Sequence, residues 1–334
     1  MIELKPDRIK ELFSKFQNSR VAVVGDLMLD SYMWGNVRRI SPEAPVPVVE
    51  VRSETVKLGG AANVANNVLN LGAVPIPLGV VGDDLSGQQI RKLFNDLGID
   101  SKGIIAAKDR PTTIKTRIIA NDQHVVRADV ESKYDILAET EVQILDIFKS
   151  QISALSGVIL EDYNKGVLTP RLIKGIIAIC RQHNVYVAVD PKFNNFFEYR
   201  EVDLIKPNVR ETEEALGIKI NTDDELDSAA ETIFERLNCS QIMITRGSKG
   251  MSLFTKADSS QYQLPTFAAK IHDVSGAGDT VIATFVVTKT VGASSEEAMQ
   301  IANYAAAIVC GEVGVIPIEK DQLEAFIVNI LLKK

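Results

Sequence analysis

The chain has 334 residues, of which 46% are hydrophobic, with a net charge of −7 and only three cysteines. That length and composition can bury a large α/β core, and the acidic balance excludes the basic face that non-specific nucleic-acid binding requires. Cys180, Cys239 and Cys310 are too scattered for a disulfide framework or a zinc site, and their apolar or small neighbours suit buried packing.

In chain order, the charged N-terminus lacks the apolar core of a signal peptide. No uncharged apolar run approaches the roughly 18 residues a membrane span needs, so a cytoplasmic protein is expected. Val21–Val24 reads as a buried strand ending at Gly25-Asp26. Ser31 to Lys57 and Thr112 to Asp129 have the alternation of partly exposed strands and read as a small β lid. Between them come a helix from Ala61 to Leu71 closed by Gly72, a strand from Ile76 to Val81, and a helix from Asp84 to Leu97 closed by Gly98. Strands at Gly157–Leu160 and Val185–Val189 enclose a helix from Pro170 to His183. Leu204-Ile205 and Gln241–Thr245 are further strands. Helices at Gly276–Thr290, Ser295–Val309 and Glu319–Leu332 complete the chain. Strands joined by helical crossovers predict an α/β fold, a single domain over 1–334, with a mainly parallel sheet covered on both faces. Ligands gather at the carboxyl ends of such strands. The apolar face of the lid predicts a homodimer formed through it.

The richest motif is Asp273-Val274-Ser275-Gly276-Ala277-Gly278-Asp279-Thr280, followed by the apolar run Val281–Phe285. Its glycines allow a sharp turn and close approach to a ligand. The helix that follows opens with free N–H groups that attract an anion. Asp279, inside this positive nest, suits a base that takes a proton from a hydroxyl while the nest holds negative charge. The plainer alternative is a Gly-rich turn with Asp279 capping the helix.

Other features belong at strand ends. Asp26 and Asp30 can bind the hydroxyls of a sugar, or serve as turn and cap residues. Gly59, Gly60 and Asn63 open a helix that leaves room for a ligand, or form only a tight helix start. Lys192, after Asp190-Pro191, can neutralise phosphate or stand in solvent. Asn208 and Glu211 have the spacing of a capping box, and the same placement can present Glu211 to water around Mg²⁺. Thr245 to Gly250 can cradle phosphates or make an ordinary hairpin turn. Lys115 and Arg117 share one strand face. Arg117 and Arg127, assisted by Lys192, suit a phosphate carried by the substrate; otherwise they form a solvated lid face. A phosphate loop of the Gly-x-x-x-x-Gly-Lys-Ser/Thr type and a dinucleotide fingerprint after the first strand are both absent, and the three histidines are dispersed.

The Gly59–Gly72 and Asp273–Ala283 elements, in this order and separation, resemble the paired signatures of the ribokinase-like (PfkB) sugar kinases. Thr284 departs from the Gly or Ala usual there. Arg38 to Val49, Asp162 to Leu168 and Asp273 to Thr280 look like the group of D-glycero-β-D-manno-heptose-7-phosphate kinases. The resemblance implies a ribokinase-like fold, ATP as co-substrate, Mg²⁺, and heptose 1,7-bisphosphate made for the lipopolysaccharide core. Without a His-x-Gly-His motif, the chain is similar to the stand-alone kinase form. By the same resemblance Asp279 would be the base. Gly276, Ala277 and Gly278 would supply the anion hole, with Ser275 also at the nucleotide. Asn208 and Glu211 would organise Mg²⁺ through water. Thr245 and Gly247 would contact nucleotide phosphates, and Asn303 would lie near adenine. Asp26, Asp30, Gly59, Gly60 and Asn63 would hold sugar hydroxyls. Rival readings are a kinase for ribose, fructose 1-phosphate or adenosine, a non-catalytic sugar- or nucleotide-binding regulator, and a dinucleotide-dependent oxidoreductase.

Overall fold

A computed structural model describes residues 4–121, 123–267, 272–312 and 314–332. The first half contains α1 (Pro6–Lys15), β1 (Arg20–Gly25), β2 (Leu27–Ile40), β3 (Pro47–Gly60), α2 (Ala61–Asn70), β4 (Val74–Gly82), α3 (Leu85–Asp96), β5 (Ile104–Ala107), β6 (Thr113–Ala120) and β7 (Gln123–Val130). Next come α4 (Ala138–Gln151), β8 (Gly157–Glu161), α5 (Pro170–His183), β9 (Tyr186–Asp190), β10 (Leu204–Ile205), α6 (Val209–Leu216) and α7 (Asp223–Leu237). The chain continues through β11 (Gln241–Thr245), β12 (Met251–Thr255), β13 (Ser260–Leu264), α8 (Ala277–Thr290), α9 (Ser295–Val309) and α10 (Lys320–Leu332).

Nine strands form the main sheet, in the order β13-β12-β11-β10-β9-β8-β1-β4-β5. Pairing is parallel from β11 to β5, and the β11–β12 and β12–β13 pairs are antiparallel. Alternation along β1 shows why both faces are covered. Val21 and Val23 enter one core with α2, α8 and α9, whereas Ala22 and Val24 enter the other with α4, α5 and α7. Helix α8 is apolar nearly all round, and its Val281–Val287 stretch is buried, as expected of a helix enclosed by α2, α9 and the sheet.

The lid is a separate sheet ordered β3-β2-β6-β7. Its first segment is longer than the expected Ser31–Lys57, while β6 and β7 over 113–130 match the expected Thr112–Asp129 within one residue. Strand β2 begins at Leu27, and β3 runs through Gly60 directly into α2. Gly60 makes that junction at φ 56°, and a Cβ there would lie 2.6 Å from the Asp26 carbonyl oxygen. The structure adds helices α1, α4 and α7, strand β5 and the β12–β13 hairpin to the expected elements. The turn after β11 is a hairpin into β12, closed by a 3₁₀ turn at Gly247–Lys249. Among the described residues no helix is long and apolar enough to cross a membrane.

Candidate active site

Asp279 stands in the first turn of α8 and is 5% exposed. Its Oδ2 accepts a hydrogen bond from Asn63 Nδ2 at 2.8 Å, and its Oδ1 accepts one from the Tyr163 hydroxyl at 2.8 Å. Burial pushes the carboxyl up to about 6, while those two bonds pull the other way. Each oxygen accepts one of these bonds and keeps lone-pair capacity for a substrate hydroxyl. Asn63 is placed by α2, whose small residues Ala61, Ala62 and Ala65 let it pack closely against α8. Asn67, one turn later, ties the helices: its Oδ1 accepts from Thr280 Oγ1 at 3.1 Å and from the Ile318 amide at 3.0 Å.

The turn before α8 needs glycine at Gly276, where φ is 78° and a Cβ would lie 3.1 Å from Asn63 Nδ2. The Ser275 amide donates to Asp273 Oδ1, and the Ala277 amide to the Val274 carbonyl. The amides of Gly276, Gly278 and Asp279 have no acceptor among the described residues, so they are the ones available to an anion.

Tyr163 follows β8, and its ring is approached by Lys115 Nζ and Lys192 Nζ, each 5.3 Å from the centroid. Its amide donates to Asp26 Oδ2 at 2.7 Å, and the Lys165 and Val167 amides also donate to that carboxylate. Both Asp26 oxygens therefore brace the 163–167 loop, the turn role among its two alternatives.

Strand pairing sets one lid face. Asp30 pairs with Lys115 and Lys57, Tyr32 with Arg117, Arg117 with Arg127, and Lys115 with Asp129. Directly paired residues share a face. Arg117 is ion-paired to Asp30, and Asp30 packs over Gly59, where a Cβ would meet its Oδ2 at 2.4 Å. Arg127 is exposed and bonded to Asp129 through two nitrogens, both at 2.9 Å. Lys115 is different: it has no ion-pair partner among the described residues, and burial lowers its pKa.

On the other side of Tyr163, Lys192 is ion-paired to Glu211. Asn208 and Glu211 close a full capping box at the start of α6: Glu211 N donates to Asn208 Oδ1 and Asn208 N to Glu211 Oε2, both at 2.8 Å. Thr245 lies beside Asn208 through a lone β-bridge, and Gly247 has open space at its Cα. Asn303 is buried on α9 and donates to the Pro265 carbonyl at 2.8 Å. Beneath α8, Lys206 Nζ contacts Asp190 Oδ2 at 2.6 Å, and a Cβ at Gly278 would lie 3.6 Å from that Nζ.

The pfkB family carbohydrate kinase description matches residues 18–321. The chain belongs to that family. It is a sugar kinase, and ATP is the family's phosphoryl donor. It is 44% identical over 294 residues to the bifunctional protein HldE of Wolinella succinogenes, covering 88% of this chain and 61% of that protein. The HldE of Geotalea uraniireducens is 40% identical over 317 residues, covering 95% and 64%. The chain thus spans less than two thirds of these relatives. Among solved structures, Arabidopsis thaliana ribokinase complexed with ribose and ATP superposes with a TM-score of 0.74 at 21% identity, over 92% of this chain and 98% of that one. Escherichia coli phosphofructokinase-2 in complex with substrates and products gives 0.77 at 16% identity, over 93% and 98%. These structures establish the ribokinase-like α/β fold.

Sequence alone places Tyr163 only within the Asp162–Leu168 motif and assigns no role to Glu161, Asp190, Lys206 or Asn67. A charged residue ending an otherwise apolar strand, as in Gly157–Glu161 and Tyr186–Asp190, was the available signal for two of them.

Proposed function

We propose that the protein transfers the γ-phosphate of ATP to the C1 hydroxyl of D-glycero-D-manno-heptose 7-phosphate. The product would be heptose 1,7-bisphosphate, a precursor for ADP-heptose and the lipopolysaccharide core. The observation carrying the reaction type is Asp279, buried beside free amides and gripped by Asn63 and Tyr163. The motif resemblance carries the choice of sugar. The lid cations support a substrate that already bears a phosphate, and the likeness to HldE proteins supports the kinase reading.

The sugar oxygen gives its proton to Asp279 and forms a bond to the γ-phosphorus. The bond from that phosphorus to the β–γ bridging oxygen breaks, and ADP leaves. A carboxylate with a pKa near 6 is ionised at neutral pH yet basic enough to accept the proton. The amides of Gly276 and Gly278 hold charge on the transferring group, which is most of what a protein contributes to phosphoryl transfer. Thr245 and Gly247 border the nucleotide, with Asn303 toward its base. Asp30, Gly59, Gly60 and Asn63 form the sugar side, and the lid excludes water. Lys115, Arg117, Arg127 and Lys192 are the candidates for the substrate's own phosphate, with Lys115 needing no ion pair broken. Mg²⁺ bound here would neutralise charge on the β- and γ-phosphate oxygens. The acidic face containing Asn208, Glu211, Asp190 and Glu161 fits it, since the two Glu161 oxygens are buried without a partner. We further propose a cytoplasmic homodimer joined through the lid, where Val51, Val126 and Val130 are exposed.

The test is ADP release from MgATP with the heptose phosphate, beside ribose, fructose 6-phosphate and no sugar. Release favouring the heptose phosphate, with phosphate at C1 of the product, is the expected result. Release with another sugar would discard the proposed pathway and keep the chemistry of Asp279. Absence of any sugar-dependent release would overturn the kinase assignment for this chain.

A further inference from the structure

Asp26 is the single residue between β1 and β2, and it is 1% exposed. Its carboxylate faces the loop after β8. Oδ2 accepts from the Tyr163 amide at 2.7 Å and the Lys165 amide at 3.1 Å, and Oδ1 accepts from the Val167 amide at 3.2 Å. These amides converge because the residues between them, Asn164 and Gly166, are left-handed, with φ of 55° and 83°. Left-handed residues turn neighbouring N–H groups inward and make an anion-binding concavity. Here the anion is a side chain of the same protein. Among the described residues no cation pairs with Asp26. Arg110, which lines the same narrow space, donates instead to Ser132 Oγ at 3.2 Å and to the Tyr134 carbonyl.

The same residue reaches both groups that hold the base. Its main-chain carbonyl accepts from the Ala61 amide at 3.1 Å, at the start of α2, and α2 carries Asn63 to Asp279 Oδ2. Any residue at this position would supply that carbonyl. The carboxylate adds the other branch, because it fixes the main chain of Tyr163, whose hydroxyl donates to Asp279 Oδ1 at 2.8 Å. Lys115 and Lys192 also approach the Tyr163 ring, but attraction to a ring face is broad and does not set where the hydroxyl stands. We propose that Asp26 is a positioning residue for the base: its carboxylate organises the 163–167 loop, sets the Tyr163 hydroxyl on Asp279, and does not touch the sugar. The proposal rests on the kinase reading and deepens it. A sugar hydroxyl at Asp26 would have to displace amides that have no other acceptor among the described residues, leaving buried donors unmet. Asp26→Asn tests this directly, because it turns one acceptor oxygen into an NH₂ group facing amide donors.

The test is a double-mutant cycle of Asp26→Asn with Tyr163→Phe in the whole chain, using ATP and whichever sugar supports ADP release, at about pH 6. Asp26→Asn should lower kcat by about fivefold, as Tyr163→Phe should, and change each KM by less than about twofold. With Tyr163→Phe already present, Asp26→Asn should lower kcat by less than a further ~twofold, because no hydroxyl is left to misplace. Gly166→Ala perturbs the loop from its outer side, where a Cβ would overlap the Tyr134 carbonyl. It should show the same dependence on Tyr163, and it stands in if Asp26→Asn does not fold. Full multiplication of the two effects in the double variant would overturn the proposal. So would a raised KM for the sugar at unchanged kcat, which would put Asp26 on a sugar hydroxyl. Amide hydrogen exchange across 162–168 checks the brace without catalysis. Exchange there should quicken by about tenfold or more in Asp26→Asn and stay near wild type in Tyr163→Phe, and unchanged exchange in Asp26→Asn would overturn the proposal. Faster exchange in a protein inactive on every sugar would keep the loop brace and reject the kinase reading, and with it the role at the base.

Discussion

Replacing Tyr163 with Phe removes one hydroxyl and keeps the ring against which Lys115 and Lys192 rest. In wild type that hydroxyl donates to Asp279 Oδ1 at 2.8 Å, favouring the ionised carboxylate. A hydrogen bond to a charged group contributes about 1.5–3 kcal/mol, or roughly 1–2 pH units at ~1.4 kcal/mol per unit. Burial already holds the carboxyl near 6, so its loss should move it to roughly 7–8. The base works only when ionised. The acid limb of kcat should therefore lie near pH 6 in wild type and move upward by about one unit or more in Tyr163→Phe. The readout is kcat across pH 5–9 by coupled ADP release, a window chosen to bracket both expected limbs. Near pH 9 the variant should approach wild type, because both carboxyls are then ionised. Near pH 6 it should be about fivefold slower for a one-unit shift, approaching tenfold only well below pH 6. A limb that stays in place while kcat falls equally at every pH would refute the reasoning and leave the hydroxyl a role in packing only. A wild-type profile flat through pH 6 would remove Asp279 as the titrating base.

Asp279→Asn should retain the fold and nucleotide binding and lose turnover by ~10²–10⁴; near-normal turnover would exclude it as the base. The same variant has a stability signature. The Asp279 carboxyl titrates near 6 when folded against 3.8 ordinarily, so the folded state holds its proton longer and wild-type stability falls as pH rises through that interval. The full cost above pH 6 is about 3 kcal/mol, so urea midpoints should show the Asn variant gaining on wild type from pH 4 to pH 7, and no such trend would contradict the assigned burial. Lys115→Met should raise KM for the phosphorylated sugar by about tenfold or more and leave KM for ATP nearly unchanged. Arg117→Ala should show the same bias, and equal effects on both substrates would count against the lid as phosphate site. Thr284 Oγ1 is buried on α8 without a partner, so Thr284→Val should raise the urea midpoint by roughly 1 kcal/mol of stability, and a lower midpoint would mean the hydroxyl does find an acceptor.

The parts of the site legible from sequence are those encoded within a few residues. Gly276, Gly278 and Asp279 announce a helix start with a carboxylate inside it, and Gly59 to Asn63 announce another, because glycine and a following apolar run are local signals. What the sequence reading missed depends on strand order. Glu161 and Asp190 are neighbours only because β8 pairs with β9, and Lys206 reaches them only because the short β10 lies next in the sheet. Tyr163 finds Asp279 across 116 residues of chain. Where the sequence offered alternatives, the hydrogen bonds display one of them directly. Asn208 and Glu211 satisfy each other in a capping box, and Asp26 is taken up by three loop amides. Helix α7 was missed although its Thr222–Glu225 capping box is a local signal of the same kind.

Ion pairing reorders the candidates, since the sequence favours Arg117 and Arg127 with Lys192 assisting. Arg117, Arg127 and Lys192 each have a carboxylate partner, so using them on a phosphate means exchanging one anion for another. In each exchange the lost pair offsets part of the new one, and the carboxylate left behind must find water or another cation. Lys115 has no ion pair to exchange, and its lowered pKa reports burial of the charge, which Asp30 and Asp129 only partly offset. Glu161 is the complementary case on the acidic side. A lid cation without an ion pair and an acid beneath α8 without a hydrogen bond flank the base, each offset only by more distant opposite charges, and a phosphorylated sugar with a metal-bound nucleotide would bring a closer countercharge to both. Swapping Lys115 and Glu161 for neutral residues should therefore act on different ligands: the first on the sugar phosphate, the second on the metal. Substitutions that struck both ligands alike would show that the two residues instead share one network.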